Sequence, residues 1–506
     1  MSESYFKPYR EHTIGSHQQF DTAYGSKPIV YADWTASGRL YGPIENRLAE
    51  MYPYVGNTHT ETTVTGSLMT QAYKASKKII KKHVGANEED VLVYFGSGMT
   101  GAINKFQRIL GFKVPERALE YLKLNENGSL YRSLKPANDR PIVFITHMEH
   151  HSNHTSWLET VCDVEIIQAT PDGLVDLNHF AQLIENYQDR PMKIAAVTAC
   201  SNVTGIMTPY HEMAKMIHQA GGYCFVDFAC SGPYMEMNMH PEEPGAHLDA
   251  IYFSPHKFLG GPGTPGVLVF NQKLYTNRIP DQPGGGTVLY TNPWKFHEYL
   301  EDIEEREDGG TPPFLQGIKA AMAIQLKEEM GVQRMMQREE ELLKIVFDRL
   351  ARQPKIHVLA GEHQHRLGVI AFYIDGVHYN LAARILNDRF GIQVRSGCAC
   401  AGTYGHYLLH INQDVSMAIF REIARGNLTH KPGWVRMSIH PTMSDEEANY
   451  IMDAIDELME HAAEWEKDYD YDAQSNEYIH KTFEDPCPQM IQEWMYSSFE
   501  EMVKAE

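Results

Sequence analysis

The sequence predicts an α/β fold built on a mainly parallel sheet, and three observations predict it. From about residue 90 to 270, apolar runs of strand length alternate with segments of helical spacing. The strand-like runs are almost continuously apolar, as strands covered on both faces are. The segments between them end on glycine, as in "YHEMAKMIHQAGG", where Met213, Met216 and Ile217 recur on one helical face.

Seven runs are expected as strands: "DVLVYF", "RPIVFITH", "DVEIIQA", "KIAAVTAC", "GGYCFVDFA", "LDAIYFS" and "GVLVFN". Residues 111–140 interrupt the alternation and read as an inserted helix plus a polar loop. Residues 291–314, with "EYLEDIEEREDGGTP", read as a charged connection. Long helical material follows from Phe314, and strands return at "RLGVIAFYID" and "WVRMSIH". The expected organisation is an arm over 1–30, a large domain over 31–290, a smaller α+β domain over 315–465, and an acidic, aromatic helical tail over 466–506.

Composition narrows the function. With 506 residues and a formal net charge of −21, the chain is expected to repel nucleic acid and anionic membrane. Neither a transmembrane-length apolar run nor a signal-peptide core is visible, and seven cysteines without framework spacing suit a reducing compartment. A cytoplasmic location is expected.

The stretch "IYFSPHKFLGGPGTPGVLVF" presents the first chemical question. Gly261-x-Gly263-x-x-Gly266 fits the dinucleotide fingerprint, but that motif needs a helix opening within it. Here the glycines lead into a β-branched run, so the context is strand–turn–strand. What remains is Lys257, a lysine at a strand end, where desolvation turns an amine into a nucleophile. An exposed turn lysine is the plainer alternative.

Other segments bear on the choice. Asp227 ends the run "GGYCFVDFA", and a carboxylate beyond a strand's carboxyl end can keep a heterocyclic nitrogen protonated. In "YFGSGMTGAIN", the amides around Gly98 to Gly101 and the Thr100 hydroxyl can cradle a phosphate at a helix start. "HMEHHSNH" offers Glu149, His150, His151 and His154 as candidate metal ligands, but no second group with zinc spacing accompanies them. An imidazole stacked on a planar ligand is the competing use, and no metal is expected.

A lysine, a strand-end aspartate, a phosphate cradle and a stacking histidine together suit pyridoxal 5'-phosphate. "MEHHSN", "SNVTGIMTP", "VDFACS", "FSPHKFLGGPGTPGVLVF" and "RSGCACAG" stand in an order that resembles the class V, NifS-like enzymes dependent on that cofactor, above all cysteine desulfurases and selenocysteine lyases. The likeness runs from about "YADWTASG" to "WVRMSIH". It implies fold type I of the pyridoxal-phosphate enzymes and a homodimer with a shared site.

The resemblance also implies roles. Lys257 would hold the cofactor covalently and move the substrate's α-proton, Asp227 would pair with the ring nitrogen, and His150 would stack on the ring. Asn202 would support ring or substrate, with Met99 and Cys230 also along the cofactor. Thr100, Ser254 and His256 would hold the phosphate, joined by Thr311 of a partner subunit's Gly-Thr-Pro turn. Arg436 would clamp the substrate carboxylate, with Arg395 and His59 beside the substrate. Cys400, in "VRSGCACAG", falls at the nucleophilic cysteine and would take sulfur from L-cysteine as a persulfide, releasing alanine for a sulfur-acceptor protein. Cys398 would modulate it or form a reversible disulfide with it.

Two other readings remain open. The chain could be another class V enzyme, a selenocysteine or C–S lyase, epimerase or aminotransferase, that does not use Cys400. It could also be a non-catalytic sulfur carrier or scaffold. In this sequence Cys230 stands where many relatives carry Gln or His, and "NTHTET" lacks the arginine that follows the histidine in one desulfurase branch.

Overall fold

The computed structural model describes residues 2–118 and 137–498. The seven predicted runs form one seven-stranded sheet. Its spatial order is Asp90–Phe95, Gly266–Asn271, Ala250–Phe253, Tyr223–Asp227, Lys193–Thr198, Ile142–Thr146, Asp163–Ile167. Neighbours are parallel except around Gly266–Asn271, which runs antiparallel to both of the strands it pairs with. The central strands are buried along nearly their whole length. That explains why their sequences are apolar throughout instead of alternating. Burial in two layers of side chains, at roughly 25 cal/mol per Å² of apolar surface, is the main stabilising term.

A second, four-stranded antiparallel sheet orders Ile356–Val358, Val369–Ile374, Trp434–Ser438 and Arg395–Gly397. Its core is closed by the helices Val332–Leu350, Tyr379–Phe390 and Asp445–Trp465. The N-terminal segment joins this side as well, because Val30–Tyr31 pairs in parallel with Ile392–Gln393. A capping box at Ser444 and Glu447 starts the last of these helices.

The tail differs from the helical expectation. Tyr469–Asp472 and Glu477–His480 form a hairpin ahead of the helix Cys487–Tyr496. The reason lies in the sequence: Tyr469 and Tyr478 are buried against alternating exposed acids, a period of two. The turn is closed by Asn476 in the left-handed region at φ 61°. The expected connection over 291–314 likewise holds part of a hairpin, Val288–Thr291 with His297–Tyr299. Most of the expected insertion over 111–140 lies outside the described residues.

Candidate active site

The strand–turn–strand reading of the lysine stretch holds. Ala250–Phe253 and Gly266–Asn271 are antiparallel, with a single 3-10 turn, Pro255–Lys257, between them. The glycines there serve close backbone approach. A Cβ at Gly261 would collide with the Pro255 carbonyl, and one at Gly266 with the Gly98 carbonyl. The turn thereby packs Ser254 and His256 against the start of helix Met99–Ile109.

Lys257 opens into a cavity of about 400 Å³. Asp227, His150, Asn202 and Cys230 line it from the carboxyl ends of the sheet, with Met99 and Thr100 at the helix start. Ser254 and His256 flank the lysine, and Arg395, Cys400 and Arg436 close it from the smaller sheet. Of the predicted site residues, His59 and Thr311 are not brought there. His59 is exposed at φ 60° near Gly286, and Thr311 lines a different cavity with Gly96 and Phe314.

The electrostatics of the floor follow from burial. Desolvation holds the Lys257 amine below its usual range, although Cys230 and Asp227 pull the other way. Burial raises the Asp227 carboxyl to about 6, opposed by the Ala229 amide 2.8 Å from Oδ1 and by Lys257. His150 is driven to about 3 by burial and by the charge of Lys257, so it is a neutral ring. Its Nδ1 accepts from the Ser152 amide at 3.1 Å and caps the helix His151–Leu158. Burial also takes His256 to about 4.

A small polar cluster stands at the helix start. The Met99 amide donates to Ser254 Oγ at 2.8 Å, and Thr100 and Ser152 hydroxyls meet at 2.6 Å. Gly98 is extended there. A Cβ on it would stand 3.1 Å from Ser254 Oγ and 3.4 Å from His256 Nε2, filling the space the cluster encloses. A bare helix N-terminus, hydroxyls and a glycine-made hollow form an anion cradle.

Arg436 is held by two partners of its own chain. Its Nη2 binds Asp33 Oδ1 at 2.8 Å and its Nη1 donates to the Asn202 carbonyl at 3.1 Å. Asp33 also takes Arg395 Nε at 3.1 Å. A buried guanidinium needs a counter-charge, and Asp33, within "YADWTASG", supplies it. In the sequence that stretch stands out only as the edge of the resemblance. Asp33 and Thr35 were legible there as polar residues among small ones, but nothing local joined them to a strand 400 residues later. The Asn202 Oδ1, Thr35 Oγ1 and Arg436 Nε atoms are buried without a hydrogen-bond partner among the described residues. Polar atoms left so beside a cavity fit a ligand that satisfies them.

The Cys230 thiol is held below its usual range by a hydrogen bond from Cys200 and by the charges of Lys257 and Arg436. Cys200, which also lines the cavity, was not singled out in the sequence. Cys400 sits on the loop after strand Arg395–Gly397, exposed, in the left-handed region at φ 56°. Cys398 is half-buried, and all seven cysteines are free.

The histidine segment holds no metal-like set. Glu149 is buried and bound to Thr146 Oγ1, Asn153 Nδ2 and the Thr198 amide, which burial accompanies by raising its carboxyl to about 8. Among the described residues, one group of three could face a common ion: His218, His247 and Asp249, far from the Lys257 cavity. Lys273 Nζ already lies 2.7 Å from the Asp249 carboxylate, so this group is an ion-paired cluster.

The sheet order and a lysine–aspartate floor beyond the strand ends define a class of protein. The chain belongs to the class-V aminotransferase family, whose model matches residues 128–451. Its relatives make the likeness narrower. It is 27% identical over 402 residues to a cysteine desulfurase of Haloferax volcanii, covering 77% of this chain and 83% of that protein. A probable cysteine desulfurase of Halalkalibacterium halodurans is 28% identical over 391 residues, covering 75% and 86%. Among solved structures, the apo cysteine desulfurase of Thermococcus onnurineus NA1 superposes with a TM-score of 0.68 at 25% identity, covering 85% of this chain and 95% of that one. The Escherichia coli cysteine desulfurase CsdA shares the fold with a TM-score of 0.65 at 20% identity, covering 85% and 94%. The fold type I architecture expected from the sequence is therefore the one present.

Proposed function

We propose that this protein is a pyridoxal-phosphate-dependent cysteine desulfurase that converts L-cysteine to L-alanine and keeps the sulfur on Cys400. One observation carries the reading: Lys257, Asp227 and Cys400 line a single cavity although they come from two sheets. The relatives' names point the same way.

The cavity suits the cofactor on its own terms. The Gly98 hollow, the Met99–Ile109 helix start, Thr100, Ser254 and His256 would hold the phosphate. His150, as a neutral ring, would cover the heterocycle, and Asn202 would offer its unpartnered oxygen to ring or substrate. Met99 and Cys230 would complete the lining. When bound, the cofactor supplies an electron sink for a carbanion at the substrate's α-carbon.

The chain's own groups do the remainder. Asp227 would keep a proton on the ring nitrogen, and its buried carboxylate gains a partner by doing so. Lys257, with its amine lowered by desolvation, would take the α-proton and return it. Arg436 and Arg395, positioned by Asp33, would face the substrate carboxylate, Arg436 through its unpartnered Nε edge. The Cys400 thiolate would attack the substrate sulfur. A sulfur–sulfur bond forms, the carbon–sulfur bond breaks, the carbon gains a proton, and alanine leaves. The persulfide would then pass to an acceptor protein.

A homodimer is part of the proposal. Thr311 and His59 lie outside this chain's own cavity, which supports their serving a second copy's site. The free cysteines suit a reducing compartment, and the cytoplasm is the setting proposed. No helix among the described residues is long and apolar enough to cross a membrane.

The test is alanine release from L-cysteine by the cofactor-loaded protein, compared with Cys400→Ala. The reading expects release from wild type and loss in the variant. Equal activity of the two would remove Cys400 from the reaction.

A further inference from the structure

Of the histidines in "HMEHHSNH" only His150 lines the Lys257 cavity, yet His147, His151 and His154 all touch the Cys400 loop or the helix that follows it. The loop has little support of its own beyond the turn bond from the Ala401 amide to the Cys398 carbonyl at 3.0 Å. Ala399 and Cys400 both adopt left-handed φ values, 48° and 56°, which L side chains disfavour. The helix that follows, Gly402–Leu408, spans only 7 residues and has no side-chain cap. Something outside must hold this backbone.

His151 holds it at two points. Its amide donates to the Cys400 carbonyl at 2.8 Å, and its Nε2 accepts from the Gly402 amide at 2.9 Å. The second bond satisfies an N–H at the start of helix Gly402–Leu408 that has no partner within the helix. Gly402 admits the ring: a Cβ there would stand 3.2 Å from Nε2. Neighbours extend the seam. His154 Nδ1 meets Thr403 Oγ1 at 3.1 Å, and the His147 ring packs 5.5 Å from Tyr404 and 5.1 Å from Tyr407. Asn202 Nδ2 donates to the Ala399 carbonyl at 2.7 Å from the other side. The contacts bracket Cys400 between residues 399 and 402 and leave its thiol exposed at the cavity edge.

We propose that His151 is the positioning residue for Cys400, a latch that joins the strained cysteine loop to the large sheet through the Cys400 carbonyl and the Gly402 amide. The latch needs a bare Nε2. Burial lowers the His151 pKa, which keeps the ring neutral and able to accept. The part of this inference that concerns sulfur attack rests on the desulfurase reading; the latch itself does not.

The experiment uses the cofactor-loaded full chain with His151→Ala, His151→Asn and His151→Gln. Two quantities are read: hydrogen exchange of the 397–404 segment, and kcat and KM for alanine release from L-cysteine. Losing one such hydrogen bond corresponds to about tenfold faster exchange. His151→Ala is expected to show that rise together with a fall in kcat at near wild-type KM, since the floor that binds substrate is untouched. Asn keeps polarity but is too short to reach Gly402, so it should match Ala and serves if Ala does not fold. Gln places an acceptor near the Nε2 position and should restore both readouts. Wild-type exchange in the Ala or Asn protein, or a Gln protein no better than Asn, overturns the latch. If wild type releases no alanine at all, the desulfurase reading fails, while the exchange data still decide whether His151 holds the loop.

Discussion

The two walls of the cavity are held in opposite ways. The floor, with Asp227 and Ser254, sits at the ends of strands whose residues are buried and whose hydrogen bonds are repeated along the sheet. The Cys400 wall is exposed, left-handed in backbone, and secured by bonds borrowed from His151 and Asn202. The difference teaches a division of labour. A covalent anchor and its proton partners need a fixed, desolvated environment, because their pKa values come from burial. On the proposed function, a thiol that meets substrate and then an acceptor would need a wall that is weakly held on its own.

The comparison can be broken at several points. Removing the floor's buried amine should have the largest effect: Lys257→Ala is expected to cut alanine release by ~10²–10⁴-fold or more, with the circular dichroism of wild type. Substantial remaining activity would show that the floor is not the reaction centre. Next is the join between the walls. Asp33→Ala leaves the buried Arg436 without its carboxylate and is expected to destabilise the protein by about 3 kcal/mol, read by denaturant unfolding, and to raise KM. A variant with unchanged stability would mean that the Asn202 carbonyl alone satisfies the guanidinium.

Gly98→Ala tests the cradle. The added methyl should weaken pyridoxal-phosphate binding by about 1–3 kcal/mol in a fluorescence titration while leaving the melting temperature near wild type. Unaltered affinity would place the phosphate elsewhere. The last test is pH. His83, His150 and His440 are driven to about 3 and His256 to about 4, chiefly by burial. Their folded pKa values lie below the ordinary 6.5, so the stability they contribute is complete above about pH 6.5 and is lost as pH falls through about 4 for His256 and about 3 for the others. Melting temperature should decline over that window; a flat profile would mean these rings are hydrated.

Much of this was legible in the sequence. The seven strands were visible because buried parallel strands are apolar without interruption, and Lys257 and Asp227 were visible because each follows such a run. Cys400 was found through a motif. The companions of these residues were not, for physical reasons. Asp33 meets Arg436 only when the N-terminal segment pairs with the smaller sheet, a contact spanning 403 positions. His151 reads as a metal ligand or a polar loop until the fold sets it against Gly402. The tail hairpin was hidden because its acids and tyrosines suit a helix surface equally well, and only Asn476 marks the turn.

The most direct test of the account is the mass of the Cys400 peptide after the cofactor-loaded protein turns over L-cysteine once without an acceptor. The account predicts that this peptide, and not those bearing Cys398 alone, Cys230 or Cys200, gains one sulfur atom, in step with one alanine released. Alanine released with the added sulfur on another cysteine, or as free sulfide with Cys400 unmodified, would contradict it.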